Sequence, residues 1–264
     1  MLLGRAKSIP DARTLELRSY VDAITLPAPP AQELLDTTTT WPMLANDRFN
    51  CCTSASAGHM VHHWTAANQR GVYLTEDDII RAHAQLTGDR LMDPVSMLDA
   101  LKFWRKTGIG DHHVHAFVSA GHTGEVDPAD LRCVIHMFGS AYIGLDLPHY
   151  VVAGDPQGWP EIPWEISATA SPEDAAPQIS MGHCVAAIGY DAQKIYVVTW
   201  GRLKTMSWDF FARYTDEAYA VLSPDWVEQN AISPSGFNLA TLAQDLAVVS
   251  DHHVQELAGG PAGG

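Results

Sequence analysis

The chain has 264 residues, 46% of them hydrophobic, and a formal net charge of −15. That suffices for one sizeable core, or a core with a small second lobe. No apolar run approaches the roughly 18 to 20 residues needed to cross a bilayer, and the 16 basic residues are scattered, so neither a membrane span nor binding to nucleic acid or anionic lipid is expected.

The first residues, Met1-Leu2-Leu3-Gly4-Arg5-Ala6-Lys7, lead into charged rather than apolar sequence, so no secretory signal is visible and a cytoplasmic protein is expected. Residues 1–25 carry a short helical pattern around Leu15, Leu17, Tyr20, Val21 and Ile24, ended by Pro27, Pro29 and Pro30. An extended segment runs to Trp41-Pro42. A helix is predicted from Cys52, with Ala55, His59, Met60, His63 and Ala67 near one face, stopped by Gly71. Thr75-Glu76-Asp77-Asp78 is a capping signal for a helix to Leu86; Asp93-Pro94 opens another to about Lys106, and Asp127-Pro128 a third to Phe138. The period then changes. Ala141 to Leu147 reads as a strand, residues 148–180 as a long loop with six prolines, and 183–190, 194–200 and 218–222 as strands. Leu239 to Val249 reads as a final helix and residues 259–264 as a disordered tail.

The four cysteines, Cys51, Cys52, Cys133 and Cys184, form neither a disulfide framework nor a CxxC zinc pair. Two features carry chemistry. Cys52 stands at a helix start, where a thiol can be ionised, and His183, in the strand sequence Gly182-His183-Cys184-Val185, can take its proton about 130 residues later. A second candidate is a metal set: in a strand, His113 and His115 share a face with Asp111, with His112 beside them. Paired histidines two apart are common by chance, so no metal and no other cofactor is expected. His59 and His63 lie too far along the helix to act as base for Cys52.

The order of an extended segment, a cysteine-headed helix, further helices and then a sheet bearing His183 and Trp200-Gly201 resembles the papain-like cysteine peptidases over roughly residues 26–222. The runs Asn46-Asp47-Arg48-Phe49, Thr199-Trp200-Gly201 and Tyr214-Thr215-Asp216-Glu217-Ala218-Tyr219 look more narrowly like a papain-like group of bacteria and their phages. The resemblance implies an α+β fold, with a helical lobe (about 41–138) packed on an antiparallel sheet lobe (about 139–226). These lie within a papain-like domain of 26–230, preceded by a helical segment over 1–25 and followed by a C-terminal helix within 231–258. It implies Cys52 as nucleophile, His183 as general base and Asn46 as oxyanion donor in place of the family's glutamine. Val198 stands where the family has an orienting asparagine; Thr199 serves that role if the register differs by one. Cys51 is the alternative nucleophile. The implied function is a peptidase or amidase acting on a peptide, protein or small amide. The alternatives are a transpeptidase or crosslinker, and a non-catalytic binding or structural module, which Val198 favours.

Overall fold

A computed structural model of the chain describes residues 1–11, 14, 16–17, 29–34, 40–121 and 125–227. Most of the helical pattern over 1–25, the 239–249 helix and the 259–264 tail lie outside those residues. The described strands are β1 (Arg5–Ala6), β2 (Glu33–Leu34), β3 (Val95–Ser96), β4 (Ala116–Ser119), β5 (Ala141–Pro148), β6 (Pro177–Tyr190), β7 (Lys194–Thr199), β8 (Arg202–Ser207) and β9 (Thr215–Leu222). The helices are α1 (Cys52–Ala67), α2 (Glu76–Thr87), α3 (Met97–Lys106), α4 (Pro128–Phe138) and α5 (Trp208–Tyr214).

An antiparallel sheet in the order β4-β9-β5-β6-β7-β8, with β2 also paired to β6, forms one half of the α+β fold. Helices α1 and α4 pack on β5 and β6, and α5 packs on β5, β8 and β9. Every residue of β5 is buried, as is β6 from Gly182 to Tyr190. That burial on both faces explains why these strands read as nearly continuous apolar runs rather than as an alternation.

Local chemistry sets the helix ends. Thr75 and Asp78 form a reciprocal capping box at α2, and Gly88 closes it at φ 62°. Asp127 caps α4, with Pro128 in its first turn and Gly139 ending it at φ 73°. Asp93-Pro94 does not open α3. Ser96 does, its hydroxyl accepting from the Asp99 amide at 3.1 Å, because Val95 and Ser96 are drawn into strand pairing with β1.

The sheet half departs further from expectation. β6 begins at Pro177 rather than 183, five residues before the buried part, where pairing to β5 is already possible. β4, β8 and α5 were not anticipated; each is short and half-exposed, with weak periodicity. Gly110 and Asp111 form a turn closed by an isolated Ile109–His112 bridge, and residues 111–115 are not a strand. The 148–180 segment contains two 3-10 turns, His149–Val151 and Pro156–Glu161.

Candidate active site

Cys52 is the first residue of α1, with Cys51 at its N-cap. No side chain caps the helix there, so its first backbone N–H groups remain for other partners. The run Thr53-Ser54-Ala55-Ser56-Ala57-Gly58 is small enough for α1 to lie close on the sheet. Two buried hydrogen bonds lock that approach: Ser56 Oγ donates to the Cys184 carbonyl at 2.7 Å, and Tyr142 Oη donates to the Thr53 carbonyl at 2.8 Å. The backbone amides of Cys184, Thr53 and Gly4 stand near enough to the Cys52 thiol to pull its pKa down. The thiol therefore rests beside the residue that follows His183.

His183 sits on β6 opposite Leu145 of β5. Its Nε2 lies 2.7 Å from Thr199 Oγ1, at the end of β7. Its Nδ1 is buried and has no hydrogen-bond partner among the described residues. Val198 is buried in the β6–β7–β8 pairing. The Trp200 ring stacks on the imidazole with centroids 4.5 Å apart, and Trp164 meets it edge-on at 6.3 Å. Trp200 and Gly201 both have positive φ, 47° and 70°, and form the two-residue turn between β7 and β8. The tight turn is what carries the indole over His183.

Asn46 is buried in a turn where Leu44 and Ala45 also have positive φ. Its side-chain amide donates to the carbonyls of Leu2, at 3.3 Å, and Phe49, at 3.4 Å. The Leu2 oxygen also accepts from Trp200 Nε1 at 3.1 Å. The amide expected to hold an oxyanion thus already holds a peptide carbonyl.

Among solved structures, the chain is similar to xylellain, a cysteine protease from Xylella fastidiosa (TM-score 0.61, 12% identity, covering 83% of this chain and 95% of that one). It is also similar to the cysteine protease and lectin-like domains of Cwp84 from Clostridium difficile (0.53, 15%, 84% and 57%) and to a digestive procathepsin L of Tenebrio molitor (0.53, 12%, 83% and 76%). The fold is papain-like. No protein-family model matches the chain, and no curated protein sequence does.

In this papain-like chain the cleft over Cys52 is filled by the chain itself. Residues Leu2–Ala6 run through it. The Leu2 amide donates to the Asn46 carbonyl at 2.9 Å, Gly4 N–H to the Gly182 carbonyl at 3.3 Å, and Val95 N–H to the Gly4 carbonyl at 3.0 Å. Two glycines permit the close passage. A Cβ on Gly4 would stand 2.0 Å from the Asn50 carbonyl oxygen, and one on Gly182 would stand 2.3 Å from that of Arg5. Cys52 is consequently 1% exposed and His183 0%.

Sealing sets the protonation states. Burial pushes the Cys52 thiol up to about 12, outweighing the Cys184 amide, the Arg5 charge and the other two amides, which pull it down. Burial, with the charges of Arg5 and Lys204 adding to it, pushes His183 down to about 3. The closed site therefore holds a neutral thiol and a neutral imidazole rather than an ion pair.

The remaining candidates fall elsewhere. The buried Cys51 thiol donates to the Leu44 carbonyl at 3.6 Å, and burial raises its pKa as it does those of Cys133 and Cys184. His112 Nδ1 pairs with Asp225 at 2.7 Å, and among the described residues no group of three or more His, Cys, Asp or Glu is gathered around a possible metal position. His59 and His63 are held by the carbonyls of Pro42 and Gly139. No helix among the described residues is long and apolar enough to cross a membrane. Sequence reasoning missed the part played by Leu2–Ala6, since a two-residue strand has no periodicity to detect. From the 148–180 segment, Trp164 walls His183, and Trp159 packs on Trp200 at 5.9 Å.

Proposed function

We propose that this chain is a cysteine hydrolase of peptide or amide bonds, held closed by its own residues Leu2–Ala6. The observation that carries the reading is the peptide lying over Cys52, with one carbonyl on Asn46 and one amide on the Gly182 carbonyl beside His183. A site that grips its own backbone in this way has the groups to grip another.

In the reaction His183 Nδ1 takes the Cys52 proton and sulfur attacks the substrate carbonyl carbon. The oxyanion is held by Asn46 Nδ2 and the Cys52 backbone N–H. The carbon–nitrogen bond then breaks as the imidazolium gives its proton to the leaving amine, leaving a thioester. Water, losing a proton to His183, attacks that thioester, the carbon–sulfur bond breaks, and the proton returns to sulfur. Departure of residues 2–6 admits water and removes part of the burial that holds both groups neutral, while the α1 N-terminus favours the thiolate. An amine in place of water gives a transpeptidase with the same residues. The neutral, sealed pair favours one further reading, a module that no longer turns over.

Gly4→Ala, whose added methyl cannot pass Asn50, opens the cleft. The expected result is cleavage of a mixed fluorogenic peptide library by this variant and none by Gly4→Ala/Cys52→Ala. In H2(18)O the new carboxyl should carry one labelled oxygen; capture by an added amine would make it a transferase. Absence of any cleavage by a folded, opened chain favours the inactive module.

A further inference from the structure

Leu3 of the segment in the cleft packs on the core, and Arg5 anchors it by ion pairs, with its side chain 1% exposed. Its Nη1 lies 2.6 Å from Glu217 Oε1 and 2.8 Å from Asp216 Oδ1, and its Nη2 is bound to Asp146. Three carboxylates therefore face one guanidinium; the other nearby cation, Lys7, is half-exposed and 3.6 Å from Asp216. The pocket is shaped as well as charged. A Cβ on Gly144 would meet Met97 Sδ at 2.6 Å, Glu217 Cγ at 2.9 Å and Arg5 Cδ at 3.0 Å, so the missing side chain makes the room that Arg5 fills. Tyr219 Oη donates to Glu217 Oε2 at 3.0 Å and turns the other oxygen inward. Asp216, Glu217 and Tyr219 belong to the Tyr214–Tyr219 run that the proposed chemistry leaves unused.

We propose that this pocket is the specificity pocket of the site, and that it takes an arginine side chain of the substrate. The proposal rests on the hydrolase reading. The Gly4 N–H donates to the Gly182 carbonyl beside His183 and Arg5 is the next residue, so a peptide lying along the same strand delivers a side chain into this pocket next to the proposed reacting pair. When residues 2–6 leave, Asp146, Asp216 and Glu217 remain together without their guanidinium. Like charges in a half-buried pocket raise the affinity for a cation. The partners are spread over two nitrogens of a planar fork, which arginine can span and the single ammonium of lysine cannot. Burial and the neighbouring carboxylates already raise the pKa of Asp146 despite Arg5, in keeping with a pocket carrying surplus negative charge.

The test is the rate at which peptidyl acyloxymethyl ketones alkylate Cys52, read by mass spectrometry with site mapping. Sulfur bonds to the methylene carbon as the carboxylate leaves. Probes identical except for Arg, Lys, Leu or Glu at the residue entering the pocket are compared on Arg5→Ala. Expected is at least tenfold faster labelling by the Arg probe than by the Leu probe, with Lys between them and Glu slowest. In Arg5→Ala/Asp216→Asn/Glu217→Gln the Arg-to-Leu ratio should fall toward one. Gly4→Ala, which retains Arg5 and every carboxylate, gives the same comparison should Arg5→Ala fail to fold. Equal Arg and Leu rates, or a preference that survives loss of the two acids, overturns the pocket. Iodoacetamide separates the two ideas: if it alkylates Cys52 but no probe discriminates, the pocket fails alone. If Cys52 of a folded, opened variant resists iodoacetamide too, the hydrolase reading fails.

Discussion

Whether His183 can work depends on what holds it. The sequence offered Val198 or Thr199, and strand alternation allows only one of two neighbours to face a given side. Thr199 Oγ1 is the atom beside Nε2. A hydroxyl both donates and accepts, so it positions the ring without choosing its tautomer as an amide or carboxylate does. Thr199→Val removes the contact and keeps the shape. The acylation rate of an opened variant should fall about 10- to 100-fold, equivalent to roughly 1.4 to 2.7 kcal/mol, with KM nearly unchanged and Thr199→Ser restoring much of it. An unchanged rate would show that Trp200 and Trp164 hold the ring by packing alone. The pair Cys52 and His183 was readable because each sits in a local pattern, a helix start and a Gly-His strand. Arg5 was not, because nothing near it in the chain hints that its partners lie at 146, 216 and 217.

The element that matters most is α1. It is buried from Cys52 to Thr65, so no apolar stripe orients it; buried hydrogen bonds do. Tyr142 Oη on β5 fixes its first turn at the Thr53 carbonyl. Tyr142→Phe removes this second hydrogen bond to a carbonyl the helix also engages, and a loss of about 1 kcal/mol is expected in urea unfolding, together with slower Cys52 labelling in the opened variant as the helix start loosens. Unaltered stability would mean that the close packing of small residues suffices. Capping chemistry made α2 and α4 legible at their starts, since Thr75, Asp78 and Asp127 act through the next three residues. It misled at α3, where tertiary pairing of Val95 and Ser96 with Arg5 and Ala6 competes with the Asp93-Pro94 signal and wins. The short strands β4 and β8 depend on partners distant in sequence, which leaves no trace in a local window.

At the scale of the molecule, closure dominates. Burial lowers His59 and His63 to about 4 and His183 to about 3, against an ordinary value near 6.5. These groups bind protons in the unfolded chain before they do in the folded one. Their contribution is complete above about pH 6.5 and is lost as pH falls toward 4 and below, so stability should rise with pH across that window. The thermal midpoint should therefore drop steeply from pH 7 to 5, and a flat or inverse profile would mean that these rings are open to solvent. The sheet half and the cysteine helix were legible as a papain-like order of elements. That the cleft is occupied by residues 2–6 was not, because it is a property of packing between segments far apart in the chain.

The most direct test is the rate of iodoacetamide alkylation at each of the four cysteines, mapped by peptide mass spectrometry, in the unaltered chain and in Gly4→Ala. Cys133 is the partly exposed thiol of the four. Expected is that Cys133 leads in the unaltered chain, where Cys52 is sealed, and that in Gly4→Ala, Cys52 overtakes Cys133 by at least tenfold near neutral pH while Cys51 and Cys184 stay slow. If Cys52 remains slower than Cys133 in the folded, opened variant, it is a core thiol and not a nucleophile.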